Sequence, residues 1–190
     1  MNTINGRFNR TIKWEDSERE SITHMLGHRI PWLALGLAAG IVTSLVISRF
    51  EQILSADIRL VFFIPIIVYL SDAIGTQTET IYIRNLAFGR IHFLKYLFKE
   101  TLFGLNLGIL FGALLGLFAY YWLEAPLIGL AVGLSTLINL VVAPVLALTI
   151  PTILYRERTD PALGAGPLAT IIQDLISLLI YFSIAAMLLF

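Results

Sequence analysis

From Asp160 to Phe190 the chain reads DPALGAGPLATIIQDLISLLIYFSIAAMLLF, and the one charged residue after Asp160 is Asp174. An apolar run of that length reads as a membrane-spanning helix. Asp160 is placed to cap the free amides at its start, and Pro161 suits the first helical position. If hydrocarbon begins near Leu163, a rise of about 1.5 Å per residue sets Asp174 roughly 17 Å in, close to the middle of a core about 30 Å thick. An ionised carboxylate there costs at least about 2.5 kcal/mol on insertion scales, so this side chain needs water, an ion or a partner helix to face. Gly166, Thr170, Asp174 and Ser177 follow at three- and four-residue steps, which predicts one small and polar stripe. Pro167 cannot donate a backbone hydrogen bond and crowds the carbonyl of Leu163, which predicts a bend and an available carbonyl.

The rest of the chain repeats the apolar pattern. Hydrophobic residues make up 57% of the 190 and charged residues 14%, with a mean hydropathy of +0.83, too apolar for an ordinary soluble domain. Four further spans are expected, at about Pro31 to Ser48, Ile58 to Arg84, Leu102 to Trp122 and Pro126 to Leu148. The expected fold is therefore all-α and polytopic, with five transmembrane helices. The third span carries Gly104, Gly108, Gly112 and Gly116 at a strict four-residue interval, a ridge that invites close helix packing or an oligomer contact. In the fourth span Ser135, Thr136 and Asn139 read as interhelical hydrogen-bonding groups, with Pro144 inside the span and Pro151 at its end.

The second span turns polar at SDAIGTQTET, where Asp72, Thr76 and Glu79 share a face beside Gly75. Pro65 precedes Asp72 by the same seven residues that separate Pro167 from Asp174, which predicts two bent helices each offering a carboxylate to one site near the midplane. Glu79 lies about one turn from Arg84, so an ion pair or snorkelling to the interface explains it as well as transport does. No Lys, Arg or His sits in the apolar part of any span, so a water-accessible path lined by Asp72, Glu79 and Asp174 would attract cations and repel anions.

Eleven of the thirteen basic residues fall in the first 29 residues, in the loop after the second span, or after the fourth; Arg49 and Arg59 are the other two. That bias places the N-terminus in the cytoplasm and the C-terminus outside, in the cell (inner) membrane. Residues 1–29 read as a cytoplasmic tail that can form an amphipathic helix, without the apolar core and cleavage site of a signal peptide, and residues 30–190 as the transport domain. His24 and His28 stand four apart, a spacing open to a metal pair but better read as a solvated face. With no cysteine, thiolate metal sites and disulfides are excluded, and the zero formal charge gives no reason to expect nucleic acid.

Several of these stretches are similar to one known family. The run from Asp160 to Phe182 resembles the last transmembrane helix of the MgtE-type magnesium transporters, and RIPWL, IPIIV, GTQTET and YIRNLAFG resemble the first two helices of that family's membrane domain. The resemblance covers nearly everything from Arg29 to Phe190. It implies a five-helix domain that dimerises around a cation pore lined by the second and fifth helices, with Asp174 matching the pore aspartate. Pro161, Gly166, Pro167 and Thr170 match the signature of the fifth helix. The family's GGN-x-G-x-Q reads SDAIGTQ here, so Gly75 and Gln77 match, while Ala73 replaces the asparagine and Asp72 is added. Larger members also carry cytoplasmic helical and CBS domains, against about thirty residues before the first span here, so regulation of that kind is expected to be missing or to come from another chain.

The expected function is transport of divalent cations, Mg²⁺ foremost, by a homodimer in lipid. The residues expected to meet the ion are Asp174, Asp72, Thr170, Gly166 and Glu79. No enzymatic activity and no cofactor are expected, with Mg²⁺ as cargo. A sodium- or proton-coupled exchanger of the same fold is the alternative. An intramembrane aspartyl protease with Asp72 and Asp174 as its dyad is remote, since Ser71 and Gln173 precede the acids where such enzymes show Tyr-Asp and Gly-x-Gly-Asp.

Overall fold

A computed structural model of the chain describes residues 21–89 and 92–190. Among the described residues six α-helices run in order: α1 (Ile22–Ile47), α2 (Glu51–Ala56), α3 (Ile64–Ala87), α4 (Phe93–Leu123), α5 (Pro126–Arg156) and α6 (Pro161–Leu189). Short 3-10 stretches at Ser48–Phe50 and Ile58–Phe63 lead into α2 and α3. Five helical segments are long and apolar enough to cross a membrane, from Ile22–Ala56 to Pro161–Leu189, and the described residues hold no strand. The all-α, five-span expectation therefore holds. Residues 1–20 of the tail, and Arg90 of the basic loop, lie outside the described residues.

Several helices are longer than their apolar runs. The first begins at Ile22, where Ser21 caps it by accepting a hydrogen bond from the His24 amide at 3.3 Å, so residues 22–29 of the expected tail continue into the first span. Helix α5 does not end near Leu148 but runs on through Pro151 to Arg156. Thr149 and Thr152 bond back to the carbonyls of Val145 and Leu148, both at 2.6 Å, within that last stretch. At the start of α6, Asp160 accepts from the Ala162 amide at 2.9 Å and Pro161 opens the helix, as their order implies.

The matched prolines do not make matched bends. Pro65 stands in the first turn of α3, just after the 3-10 stretch, where a missing N–H costs nothing. Pro167 lies inside α6, which continues past it.

Helices α4 and α5 form the closest pair, and the glycine ridge is the reason. Gly104, Gly108 and Gly112 are buried against the backbone of α5 at Leu140, Leu137 and Gly133, and Gly116 meets Gly129. Pro144 adds to this seam: it has no N–H to give the Leu140 carbonyl, and that carbonyl rests against Gly104. The ridge is thus used within the chain. On its far side α5 packs against α3 and α6, and its buried residues run almost its whole length. A core of Leu60, Phe63, Leu115, Ile128, Tyr181 and Phe182 closes one end of this bundle, where the Tyr181 hydroxyl donates to the Leu60 carbonyl at 2.8 Å. Nearby, Arg59 grips Asp57 through Nε and Nη2 at 2.9 and 2.7 Å and reaches the Leu123 carbonyl at 3.4 Å. That guanidinium holds the Asp57 carboxyl below the usual carboxylate range.

Helix α1 stands apart from the others. Its principal helix neighbour is α6, where the Trp32 ring covers Gly164 and Gly36 meets the Ile171 side chain.

Candidate functional site

The acids of α3 and α6 occupy two separate spaces. A small cavity of about 10 Å³, room for one water-sized sphere, is walled by Asp72, Thr76 and Glu79 of α3, by Thr170 and Gln173 of α6, and by Ala143, Leu146 and Ala147 of α5. A wider crevice of about 360 Å³ lies between α1, α3 and α6, lined by Gly40, Thr43, Pro65, Val68, Ile171 and Asp174. Asp72 is within Coulombic range of both Glu79 and Asp174, so the three carboxylates form one electrostatic group spread over two spaces.

None of the three has a hydrogen bond or ion pair among the described residues. Glu79 is only 7% exposed, whereas Arg84 is exposed, so neither a local ion pair nor snorkelling accounts for Glu79. Its neighbour Thr78 turns to α4 and donates to Glu100 at 2.9 Å. The four-residue step put Thr170 on one stripe with Asp174, but Thr170 borders the small cavity and Asp174 the wider crevice. Gly166 lines neither of the two, and the position of its missing side chain is open space.

Ser177 does not join Asp174. It is fully buried in a polar network with Gln173, Ser71 and Asn139. Gln173 donates through Nε2 to Ser71 Oγ, and to Ser177 Oγ at 3.3 Å. Asn139 donates through Nδ2 to the Ser177 carbonyl at 3.3 Å, and Ser71 donates to the Asn139 carbonyl at 3.5 Å. Asn139 thus ties helices together, whereas Ser135 and Thr136 bond the Ala131 and Val132 carbonyls of their own helix. The network fixes the rotation of α3 and α6, because Ser71 and Gln173 directly precede Asp72 and Asp174. Sequence reasoning gave these two no such role; the signal was an amide and a hydroxyl next to intramembrane acids. Asn139 Oδ1 is buried without a partner.

The remaining metal possibility is weaker. The Nε2 atoms of His24 and His28 approach to 3.2 Å on the exposed first turns of α1. Among the described residues no three His, Asp or Glu side chains converge as a metal cluster. A proton-sharing aspartyl dyad gains no support either, since Asp72 and Asp174 border different spaces and no hydrogen bond joins them among the described residues.

Five helices long enough to cross a membrane, with unpaired acids between the second and the fifth, define a polytopic helical membrane protein. The sequence model of MgtE, described as a divalent cation transporter, matches residues 64–184, and the chain belongs to that family. It is similar to the magnesium transporter MgtE of Thermus thermophilus, at 34% identity over 164 residues that cover 85% of this chain and 36% of that protein. It is likewise similar to the magnesium transporter MgtE of Bacillus subtilis, at 32% identity over 160 residues, 83% of this chain and 36% of that protein. The chain spans about a third of the length of these relatives. It is an integral membrane protein of the all-α class.

Proposed function

We propose that the chain carries divalent cations, Mg²⁺ foremost, across the membrane between two copies of itself, along a path lined by α3 and α6. The observation that carries the reading is the unpaired acid group. Asp72, Glu79 and Asp174 lie between helices that hold no basic residue from Leu60 to Ile83 or from Pro161 onward, and they have no partner among the described residues. A buried charge without a partner is costly, and a passing cation supplies the missing one. The relatives named as magnesium transporters support the choice of ion. The wide crevice at Asp174 suits a cation held through its own waters, since Mg²⁺ dehydrates reluctantly. Lipid surrounds the assembly, Mg²⁺ is cargo and not a cofactor, and residues 30–190 form the transport domain behind a cytoplasmic tail of residues 1–29.

Purified protein in proteoliposomes is expected to pass Mg²⁺ down its own gradient with no imposed sodium or pH gradient. Flux that requires either gradient would make the protein an exchanger, and no divalent flux under any gradient would remove the reading. The basic-residue bias puts the N-terminus inside and the C-terminus outside. Tags at the two termini should therefore differ in accessibility in intact cells, and equal accessibility would sink the five-span orientation. Mass photometry in mild detergent should show twice the 21.2 kDa chain plus micelle. A monomer that still transports would refute the shared path, and because the α4 glycine ridge is used within the chain, the dimer contact is assigned to other surfaces.

A further inference from the structure

The small cavity differs in kind from the crevice that holds Asp174. It has room for about one water, too little for a fully hydrated divalent ion, and its polar wall is made of oxygen donors. Two are the carboxylates of Asp72 and Glu79, with the hydroxyls of Thr76 and Thr170 beside them. Gln173, 3% exposed, adds a neutral oxygen: its Nε2 is committed to Ser71 and Ser177, which leaves Oε1 as its unbonded acceptor. On the third side, Pro151 has no N–H to offer the Ala147 carbonyl, and Ala147 is part of the wall. Glu79, nine-tenths buried and without a partner, borders this space and not the crevice.

We propose that this cavity is a second cation site, separate from the Asp174 crevice, which binds a largely dehydrated divalent ion directly through Asp72, Glu79, the Gln173 amide oxygen and the Thr170 hydroxyl and therefore favours Mn²⁺ over Mg²⁺. The inference rests on the cation-path reading above and adds to it a division of labour. Two carboxylates balance the charge of a divalent ion, and carboxylate with neutral carbonyl and hydroxyl oxygens is a donor set that suits Mn²⁺ as well as Mg²⁺. The difference lies in the cost of shedding water, which Mg²⁺ does reluctantly and Mn²⁺ more readily. A site too small for hydrated ions turns that cost into selectivity. The buried network sets the geometry, because Ser71 and Ser177 fix which way the Gln173 amide faces.

The test is a titration of purified full-length protein with Mn²⁺ alone, following loss of the free-ion electron paramagnetic resonance signal. Wild type, Asp174→Asn and Glu79→Gln are compared, with Mg²⁺ added as competitor. Asp174→Asn should keep a tight Mn²⁺ site that Glu79→Gln weakens by about tenfold or more, and Mg²⁺ should displace that ion only at about tenfold higher concentration. Thr170→Val provides a second, milder variant of the wall, expected to weaken the same site should Glu79→Gln fail to fold. The proposal is overturned if Mn²⁺ binding survives Glu79→Gln or Thr170→Val unchanged, if Asp174→Asn removes the same site, or if Mg²⁺ competes on equal terms. This binding pattern without flux in wild-type proteoliposomes would leave the site standing and remove the transport reading.

Discussion

Asp174→Asn should abolish most divalent flux while the protein still inserts, folds and melts as wild type does. The carboxylate has no hydrogen-bond partner among the described residues, so an amide of the same size breaks no contact. Its electrostatic neighbour is another acid, Asp72, so losing the charge relieves repulsion and leaves stability equal or higher. For a passing ion the change is the opposite. With an effective dielectric near 20, a unit-charge contact at 4 Å amounts to about 4 kcal/mol, and water between ion and carboxylate reduces that without removing it. A loss of about tenfold or more in Mg²⁺ flux follows even if only about a third of that energy survives. The measurement is Mg²⁺ and Mn²⁺ flux into proteoliposomes beside thermal unfolding of both proteins. Normal flux in the variant would withdraw Asp174 from the ion path.

The second large effect is on stability. A methyl group added at Gly112 would lie 2.7 Å from the Gly133 carbonyl oxygen, and one at Gly116 would lie 2.8 Å from that of Gly129. Real side chains do not approach backbone that closely, so α4 and α5 must separate along their longest contact. Overpacking of this sort costs about 1–3 kcal/mol. Gly112→Ala and Gly116→Ala should therefore each lower the melting temperature in detergent by several degrees, whereas Gly40→Ala, which meets nothing within 4 Å, should not. Equal melting of Gly112→Ala and Gly40→Ala would mean that the seam is looser than its geometry implies.

The parts of this molecule that were legible in its sequence are those written in local periodicity. Five long apolar runs gave five spans, Asp160 and Pro161 marked the start of α6, and the four-residue glycine spacing gave the face α4 turns to a neighbour. What escaped depends on residues far apart along the chain. Gln173 reaches Ser71 across 102 positions, and nothing in either segment announces the other. Ser177 sat at a three-residue step from Asp174, yet a helix offers that stripe to two neighbours at once, and tertiary packing gave the serine to α5 and the acid to the crevice with α1 and α3. Pro151 looked like a helix end because proline withholds a donor. In the bundle the surrounding helices carry α5 past it, and Ala147, whose carbonyl Pro151 has no N–H to meet, forms part of the cavity wall. Glu79 was ambiguous for the same reason, since its burial is set by α5 and α6 and not by Arg84 one turn away.

The attachment of α1 chiefly to α6 has a consequence for how the protein is made. Synthesis runs from the N-terminus, so α1 enters the lipid while α6, the helix that chiefly holds it, has yet to be translated. For that whole interval it lacks its main partner and must stay inserted largely on its own apolar surface. The stretch from Ile30 to Ser48 meets that demand, with no charged residue and with leucine or isoleucine at 30, 33, 35, 37, 41, 45 and 47. Trp32 and Gly36 then wait for Gly164 and Ile171, and α6, made four spans later, fastens α1.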